Sequence, residues 1–380
     1  MNAPTLAPHA EAALLALREP GLVGAEARAR IRTVAEQLPA ACSRFFGFEC
    51  NLGREEETAD FLACIMGEEP YRTAWLTALS DAVSNGGLAG EGGAAAVWTR
   101  LARFVRRWAD PGDPLHSRVR NMWVEFDLDR PPERPAVPSL FIGAERLGRG
   151  DAAPPEHAWL IGAVEDLTGL AMDDGRRAGL AACLEALPEG AELFQIGMML
   201  SRPLPLLRLC ATGLPAEAIP AYLDAAGWPG DRNRLRGLLD DLTPLAEHFA
   251  VDMDVSTGLH AKLGLECYLD AGPDLGVRMT ALLDRLAADG LCVPAKRAAL
   301  PAWYGLTHEK WRRDAWPADL KAAADRPGPG HSGGFLRTVN HIKIVLDPPA
   351  PLSAKAYLAA RFCWIDDRAL KRALSGATGP

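Results

Sequence analysis

Three lysines, Lys262, Lys343 and Lys355, stand in the middle of runs where apolar and polar residues alternate. Arg208, Arg337 and Arg361 occupy the same kind of position. Cations fixed on a shared face can hold an anion and stabilise charge building on it, Arg as a bidentate fork and Lys as a point charge. The alternative for each is a strand-end side chain reaching bulk water. Carboxylates share these faces: Glu49, Glu125 and Glu266. A carboxylate withdrawn from water has a raised pKa unless a cation offsets it, which makes Glu125 the candidate general base, with a structural ion pair as its other reading. Asp252-x-Asp254 places two carboxylates on one strand face, where they could share a Mg²⁺ or pair with cations. His341, on the face of Lys343, could shuttle a proton or be a hydrogen-bonded structural histidine. Trp123, Phe141, Gln195, Tyr268 and Tyr357 fall on the same faces, where rings could stack on a planar ligand or simply fill space.

These residues share a face only if the runs around them are strands. Period-two alternation says that they are. In Phe249–Val255 and 262–268, Phe249, Val251, Met253, Val255, Leu263, Leu265 and Cys267 alternate with Asp252, Asp254, Lys262, Gly264 and Glu266. Four further pairs follow the same plan: 45–52 with 60–66, 121–128 with 139–145, 193–200 with 206–212, and 335–346 with 354–362. In the third of these pairs the alternation places Phe194, Ile196, Met198 and Leu200 on the apolar face. Helical patterns lie between the pairs, at 71–83, 94–108, 157–170, 174–187, 216–226, 231–246, 274–290 and 294–303, with Asp231 as an N-cap. Glycine- and proline-rich stretches at 86–93 and 326–334 read as loops, the second as a mobile one. Strand, strand, helix, helix thus recurs about five times, and the phrases Phe48-Glu49-Cys50-Asn51-Leu52, Val124-Glu125-Phe126-Asp127-Leu128 and Leu265-Glu266-Cys267-Tyr268-Leu269 echo across the units.

Neighbouring strands joined by short connections pair antiparallel, and about ten of them avoid exposed edges by closing into a barrel. The apolar strand faces need cover, so the helices must lie outside and the polar faces inside. The expected architecture is α+β: a closed antiparallel barrel with a polar lumen inside a ring of helices. A (β/α)₈ barrel has the reverse pattern, with an apolar interior. The whole chain, 1–380, reads as one domain: N-terminal helices over 1–44, five repeats over 45–364, and a C-terminal helix and tail over 365–380.

Composition excludes several classes. A net charge of −8 and a pI near 5.6 argue against a nucleic-acid binder. No apolar run is long enough to span a membrane, and the first residues lack a secretory pattern. The eight cysteines have no C-x-x-C spacing and read as buried thiols, which fits a cytoplasmic protein. No zinc-ligand spacing, P-loop, Gly-x-Gly-x-x-Gly or Gly-x-Ser-x-Gly is present.

This arrangement resembles the ABBA family, the prenyltransferase barrel. Val124-Glu125-Phe126 is similar to the family strand whose glutamate receives an indole N–H, and Lys355-Ala356-Tyr357 to its Lys-x-Tyr strands. Lys262 with Tyr268 is a looser version, and no Arg-x-Lys-x-Tyr strand occurs. The resemblance implies transfer of an allyl group, dimethylallyl by expectation, from its diphosphate to an electron-rich aromatic molecule or peptide side chain. It implies Glu125 as the catalytic carboxylate; Arg208, Lys262, Lys343, Lys355 and Arg361 as diphosphate ligands; and Tyr268, Tyr357, Trp123 and Gln195 as residues that shield the cation or hold the acceptor. No cofactor is required on this reading, although Mg²⁺ could bridge to diphosphate. The rivals are a barrel that only binds an anionic metabolite and an enzyme using the same groups for other acid–base work.

Overall fold

The computed structural model describes residues 3–17, 21–84, 93–133, 135–151, 157–202, 206–323 and 325–376. Most of the 86–93 loop, and the end of the 365–380 tail, lie outside them. The strands are β1 (Phe45–Asn51), β2 (Ala59–Met66), β3 (Val119–Phe126), β4 (Ser139–Leu147), β5 (Glu192–Met198), β6 (Leu207–Leu214), β7 (His248–Val255), β8 (Leu259–Tyr268), β9 (Gly305–His308), β10 (His331–Leu346) and β11 (Ser353–Asp366). Every pairing is antiparallel. The order β11-β1-β2-β3-β4-β5-β6-β7-β8-β10, closed by β10 against β11, makes a ten-stranded barrel. β9 stands outside this ring, on the first half of β10, where Gly334 to Arg337 pair with His308 to Gly305. The second half of β10 pairs with β8 instead, so one long strand serves two neighbours. Alternation did not reveal β9, which has only four residues. The expected loop over 326–334 is strand from His331 onward.

The core lies between barrel and helices. From β1, β3, β4, β7, β8 and β10 the outward residues Phe46, Phe48, Val124, Phe126, Ile142, Val251, Met253, Leu263, Leu265, Ile342 and Ile344 are buried with Trp75, Trp98, Trp108 and Trp303 from the helical layer. A buried tryptophan gains when its one donor finds a partner, which Trp75 Nε1 lacks among the described residues but others have. Trp108 Nε1 donates to Val119 O at 2.9 Å, and Trp303 Nε1 to Thr338 O at 2.9 Å, tying helix ends to strands. Truncating such a ring costs about 3–5 kcal/mol. Helix 232–242 starts where the sequence says it should: Asp231 caps it, its carboxylate accepting from the backbone N–H groups of Asn233 and Arg234.

Two bulges shift which side chains enter the lumen. An extra residue reverses the face of everything beyond it. In β10 the register slips between Val339 and His341, so Lys343 faces Lys355 inward while Arg337, opposite Ala360, faces outward. The expected lumen position of Arg337 is therefore corrected. Its guanidinium is buried on the helical side, donating to Thr307 Oγ1 and to the Trp303 carbonyl, and it stacks over the Trp303 ring. In β5 the slip between Leu193 and Gln195 brings Phe194 to the lumen, against its expected outward face.

Candidate functional site

The lumen is a cavity of about 1600 Å³. Its mouth is formed by the β1–β2 turn at Gly53 and Arg54, by 127–133, and by the β10–β11 turn from Asp347 to Ser353. Glu125, Arg208, Lys262, Lys343, Lys355, Tyr268, Tyr357, Trp123 and Gln195 all line it. Arg361 does not: it is exposed, with its guanidinium 4.5 Å from the Phe45 ring centre. Its expected place among the lumen cations is corrected: its side chain lies over the ring of its register partner Phe45 and is turned to solvent.

Every cation carried into the lumen by a strand already has a carboxylate. Arg208 on β6 forks onto Asp254 on β7, with Nε–Oδ1 at 2.7 Å and the second nitrogen to Oδ2 at 3.0 Å. Burial disfavours the guanidinium charge, but the hydrogen bond and charge of Asp254 outweigh it and raise the Arg208 pKa; Asp254 is correspondingly held low. Lys355 on β11 pairs with Glu49 on its neighbour β1. Burial pushes Glu49 up, yet Lys355, with a hydrogen bond from Tyr357, brings it down to about 2. Lys262, nearer the mouth, lies 3.1 Å from Asp347.

Lys343 is different, because two carboxylates share it: Asp252 in direct ion pair and Glu266 at 3.3 Å. Gly264 makes this possible. A Cβ there would stand 2.6 Å from Lys343 Cε, in the path the lysine takes to Asp252. Glu266 also accepts from the Tyr268 hydroxyl at 2.6 Å. His341 stacks on Tyr357 with ring centres 4.1 Å apart and lies 5.1 Å from Tyr268, so both tyrosines meet at one histidine. Burial, with the charge of Lys343, lowers His341 to about 3 and keeps it neutral.

The opposite wall is apolar. Phe141, Met199 and Cys210 form a cluster with Trp123, Phe194 and Leu206 that is separate from the main core. Phe45 meets Trp123 edge-on at 5.0 Å. Glu125 opens into this wall, and no hydrogen bond or ion pair to it is found among the described residues. Burial raises it to about 8, Glu49 adding to the shift while Lys343 and Arg208 only partly oppose it. Asp60, directly across from Glu49 on β2, is raised to about 7 by burial and by Glu49. At the mouth Asp127 accepts from Ser201 Oγ at 2.7 Å, with Arg202 3.7 Å away.

Alternation thus brings Glu125, Arg208, Lys262, Lys343, Lys355, Trp123, Gln195, Tyr268 and Tyr357 into one cavity. It missed Asp60, Asp127, Phe194 and Arg202. Asp127 continues the face of Trp123 and Glu125 and was open to detection, whereas Phe194 enters only because of the bulge. Asp254 is paired with Arg208 and Asp252 with Lys343. Among the described residues no cluster of three or more His, Cys, Asp or Glu side chains is arranged to hold a metal ion, and no helix is long and apolar enough to cross a membrane.

No protein-family model matches the chain, and no curated protein matches it in sequence. Solved structures do. The apo form of the prenyltransferase PriB superposes with a TM-score of 0.51 at 15% identity, covering 94% of this chain and 96% of its own. The 5-dimethylallyltryptophan synthase of Streptomyces coelicolor gives 0.50 at 14%, covering 94% and 98%. At such identities the likeness speaks for architecture, and the fold of this chain is that of the ABBA prenyltransferase barrels.

Proposed function

We propose that the protein is an aromatic prenyltransferase, moving an allyl group from its diphosphate to an electron-rich ring. The observation that supports this best is the division of the lumen: an apolar, aromatic wall faces an ionised one, with an unpaired carboxylate, Glu125, between them. A ring held against Trp123, Phe141 and Phe194 would meet the allyl carbon of a donor whose diphosphate lies toward the mouth. Lys262, Lys355 and Arg208 are the ligands for that anion, reached by loosening their contacts with Asp347, Glu49 and Asp254. The allylic C–O bond breaks with its electron pair leaving on diphosphate. Fixed cations stabilise the charge that develops there. Tyr357 and Tyr268 shield the allyl cation through their ring faces. The acceptor carbon supplies the electrons of the new C–C bond, and the ring proton lost afterwards passes to Glu125 as general base.

Lys343 is assigned a supporting role, because its two carboxylates occupy the directions in which it could reach a diphosphate. The dimethylallyl donor is inferred from the name of the Streptomyces coelicolor structure, which pairs that group with tryptophan. The test is incubation with dimethylallyl diphosphate and a panel of indoles, phenols and Trp-containing peptides, read by mass. The expected product gains one C₅H₈ unit. Absence of product across donors of several lengths, together with no heat of diphosphate binding, rejects the reading.

A further inference from the structure

The ion pairs in the lumen do not balance. Arg208 has Asp254 and Lys355 has Glu49, one to one, but Lys343 faces both Asp252 and Glu266. All three members of that last group are buried: Asp252 is 3% exposed, Glu266 6% and Lys343 7%. Asp252 Oδ1 has no hydrogen-bond partner although its residue lines the cavity. The one other cation felt at Asp252 among the described residues is Arg208, whose fork is committed to Asp254; with Lys343 it opposes the burial and the Glu266 charge that raise the Asp252 pKa, without cancelling them. Tyr268 donates only a neutral hydrogen bond, and it goes to Glu266. His341 Nε2 lies 3.3 Å from Glu266 Oε1, yet neither ring nitrogen makes a hydrogen bond, and the ring is 8% exposed. The pull of burial and Lys343 keeps that imidazole neutral, so it cannot supply the missing charge. A buried carboxylate with an unused oxygen is costly unless something charged or hydrogen-bonding meets it. The aromatic cluster lines the same cavity and reaches this group through Cys210 on β6, the register neighbour of Asp252 on the adjacent strand β7.

We propose that Asp252 and Glu266 form a subsite for a cationic nitrogen, ammonium or guanidinium, carried by the aromatic acceptor. This rests on the transferase reading for the word acceptor, but the subsite is a property of the lumen alone. The ring of the ligand lies on Phe141 and Trp123, and its charged nitrogen points between Asp252 Oδ1 and Glu266, where His341 can accept a further N–H. Lys343 then has one carboxylate to itself and the ligand has the other. Both cation types satisfy the same chemistry, and the experiment separates them.

Binding is measured by calorimetry on the protein without any allyl diphosphate. The probes are tryptamine, its guanidine analogue 2-(indol-3-yl)ethylguanidine, the neutral isostere 3-propylindole and the anion indole-3-propionate. One or both cations should bind about tenfold or more tighter than 3-propylindole, since a buried charge-assisted contact is gained, and the anion should be weakest. The tighter cation identifies the headgroup. Asp252→Asn should bring the preferred cation to parity with the neutral isostere. Should that variant not fold, Glu266→Gln, which leaves Lys343 one full counter-charge, serves the same purpose. Equal binding of cations and neutral isostere, tightest binding of the anion, or a cation preference that survives the substitution overturns the proposal. The transferase reading fails separately, on turnover with donor, so a cation preference without turnover removes only that reading.

Discussion

The two walls of the lumen use the same strand period for opposite ends. On β7, β8, β10, β11 and β1 the inward positions carry Asp252, Asp254, Glu266, Lys343, Lys355 and Glu49, with His341 and two tyrosines. On β3, β4 and β5 they carry Trp123, Phe141, Gln195 and Phe194, with Glu125 as the single acid. The outward positions of both walls are equally apolar, because both are covered by helices. The barrel therefore sets only which face is inside; the chemistry inside varies freely from strand to strand. A charged wall of ion pairs is rigid and specific: Arg208 with Asp254 and Lys355 with Glu49 are matched across adjacent strands, and only Lys343 is shared, by Asp252 and Glu266. An aromatic wall is tolerant and binds by area. Glu125 takes its character from standing at the edge of the aromatic wall: no cation reaches it, and burial sets its pKa.

The sharpest way to break this comparison is to remove that titratable group. Glu125→Gln keeps the size of the side chain, and turnover on the true acceptor should fall by roughly 10²–10⁴-fold as for other positioned acid–base groups, with diphosphate binding weakened little. Wild-type turnover would remove Glu125 from the mechanism and leave Glu49 and Glu266 to examine.

On the ionised wall, Arg208→Met leaves Asp254 buried without its fork. Stability measured by urea unfolding should drop by about 3–5 kcal/mol, and the double change Arg208→Met with Asp254→Leu should recover much of it. A single variant within about 0.5 kcal/mol of wild type would mean that the pair is solvated and the wall is not built on matched charges.

On the aromatic wall the loss should appear in binding instead. Trp123→Ala is expected to raise the Kd of an indole acceptor by about tenfold, or about 1.4 kcal/mol, and to cost less stability than the ~3–5 kcal/mol of Trp108→Ala in the main core. A larger stability loss at Trp123 than at Trp108 would make the lumen cluster a folding core and not a binding surface.

The pH dependence follows from the same edge. Glu125 is raised from 4.5 to about 8 in the folded state, so folding holds its proton more tightly than the unfolded chain does. Its contribution is fully present below pH 4.5 and is lost as the pH rises through 8. The melting temperature of wild type should therefore fall more steeply than that of Glu125→Gln between about pH 5 and 9. Parallel profiles would show that Glu125 is solvated. The smallest effect is expected at Arg361: Arg361→Ala should change stability by less than about 0.5 kcal/mol and leave diphosphate affinity unaltered, because the side chain is outside the cavity. A large rise in donor KM would return it to the site.

Much of the fold and of the lumen was legible in the amino-acid order. Alternation through Phe249–Val255 and 262–268 identified the inward face correctly, because a strand buried on one side cannot slip by a residue without exposing its apolar set. Lys343 and Lys355 were expected on the shared polar face, and the structure makes them register partners on adjacent strands. The closed ten-stranded ring followed from the number of hairpins and the need to hide edges. Asp231 declared its helix by cap chemistry alone.

What the tertiary structure decided is of two kinds. The bulges at Asn340 and Phe194 are insertions in pairing, and a one-dimensional period carries no mark of a residue that pairs with nothing; hence Arg337 was expected inside and Phe194 outside. Partner choice is the second kind. Whether a lumen carboxylate is a base, a counter-ion or an unspent charge depends on which strand lies beside it, and the strands bearing Asp252, Glu266 and Lys343 come together only when the barrel closes. Away from the bulges the sequence by itself determined which side chains would be enclosed, because the hydrophobic period is local. Their charge state was decided by neighbours 77 or 306 residues away in the chain, as for Lys343 with Glu266 and Lys355 with Glu49, and electrostatics in a buried site depends on distance in space alone.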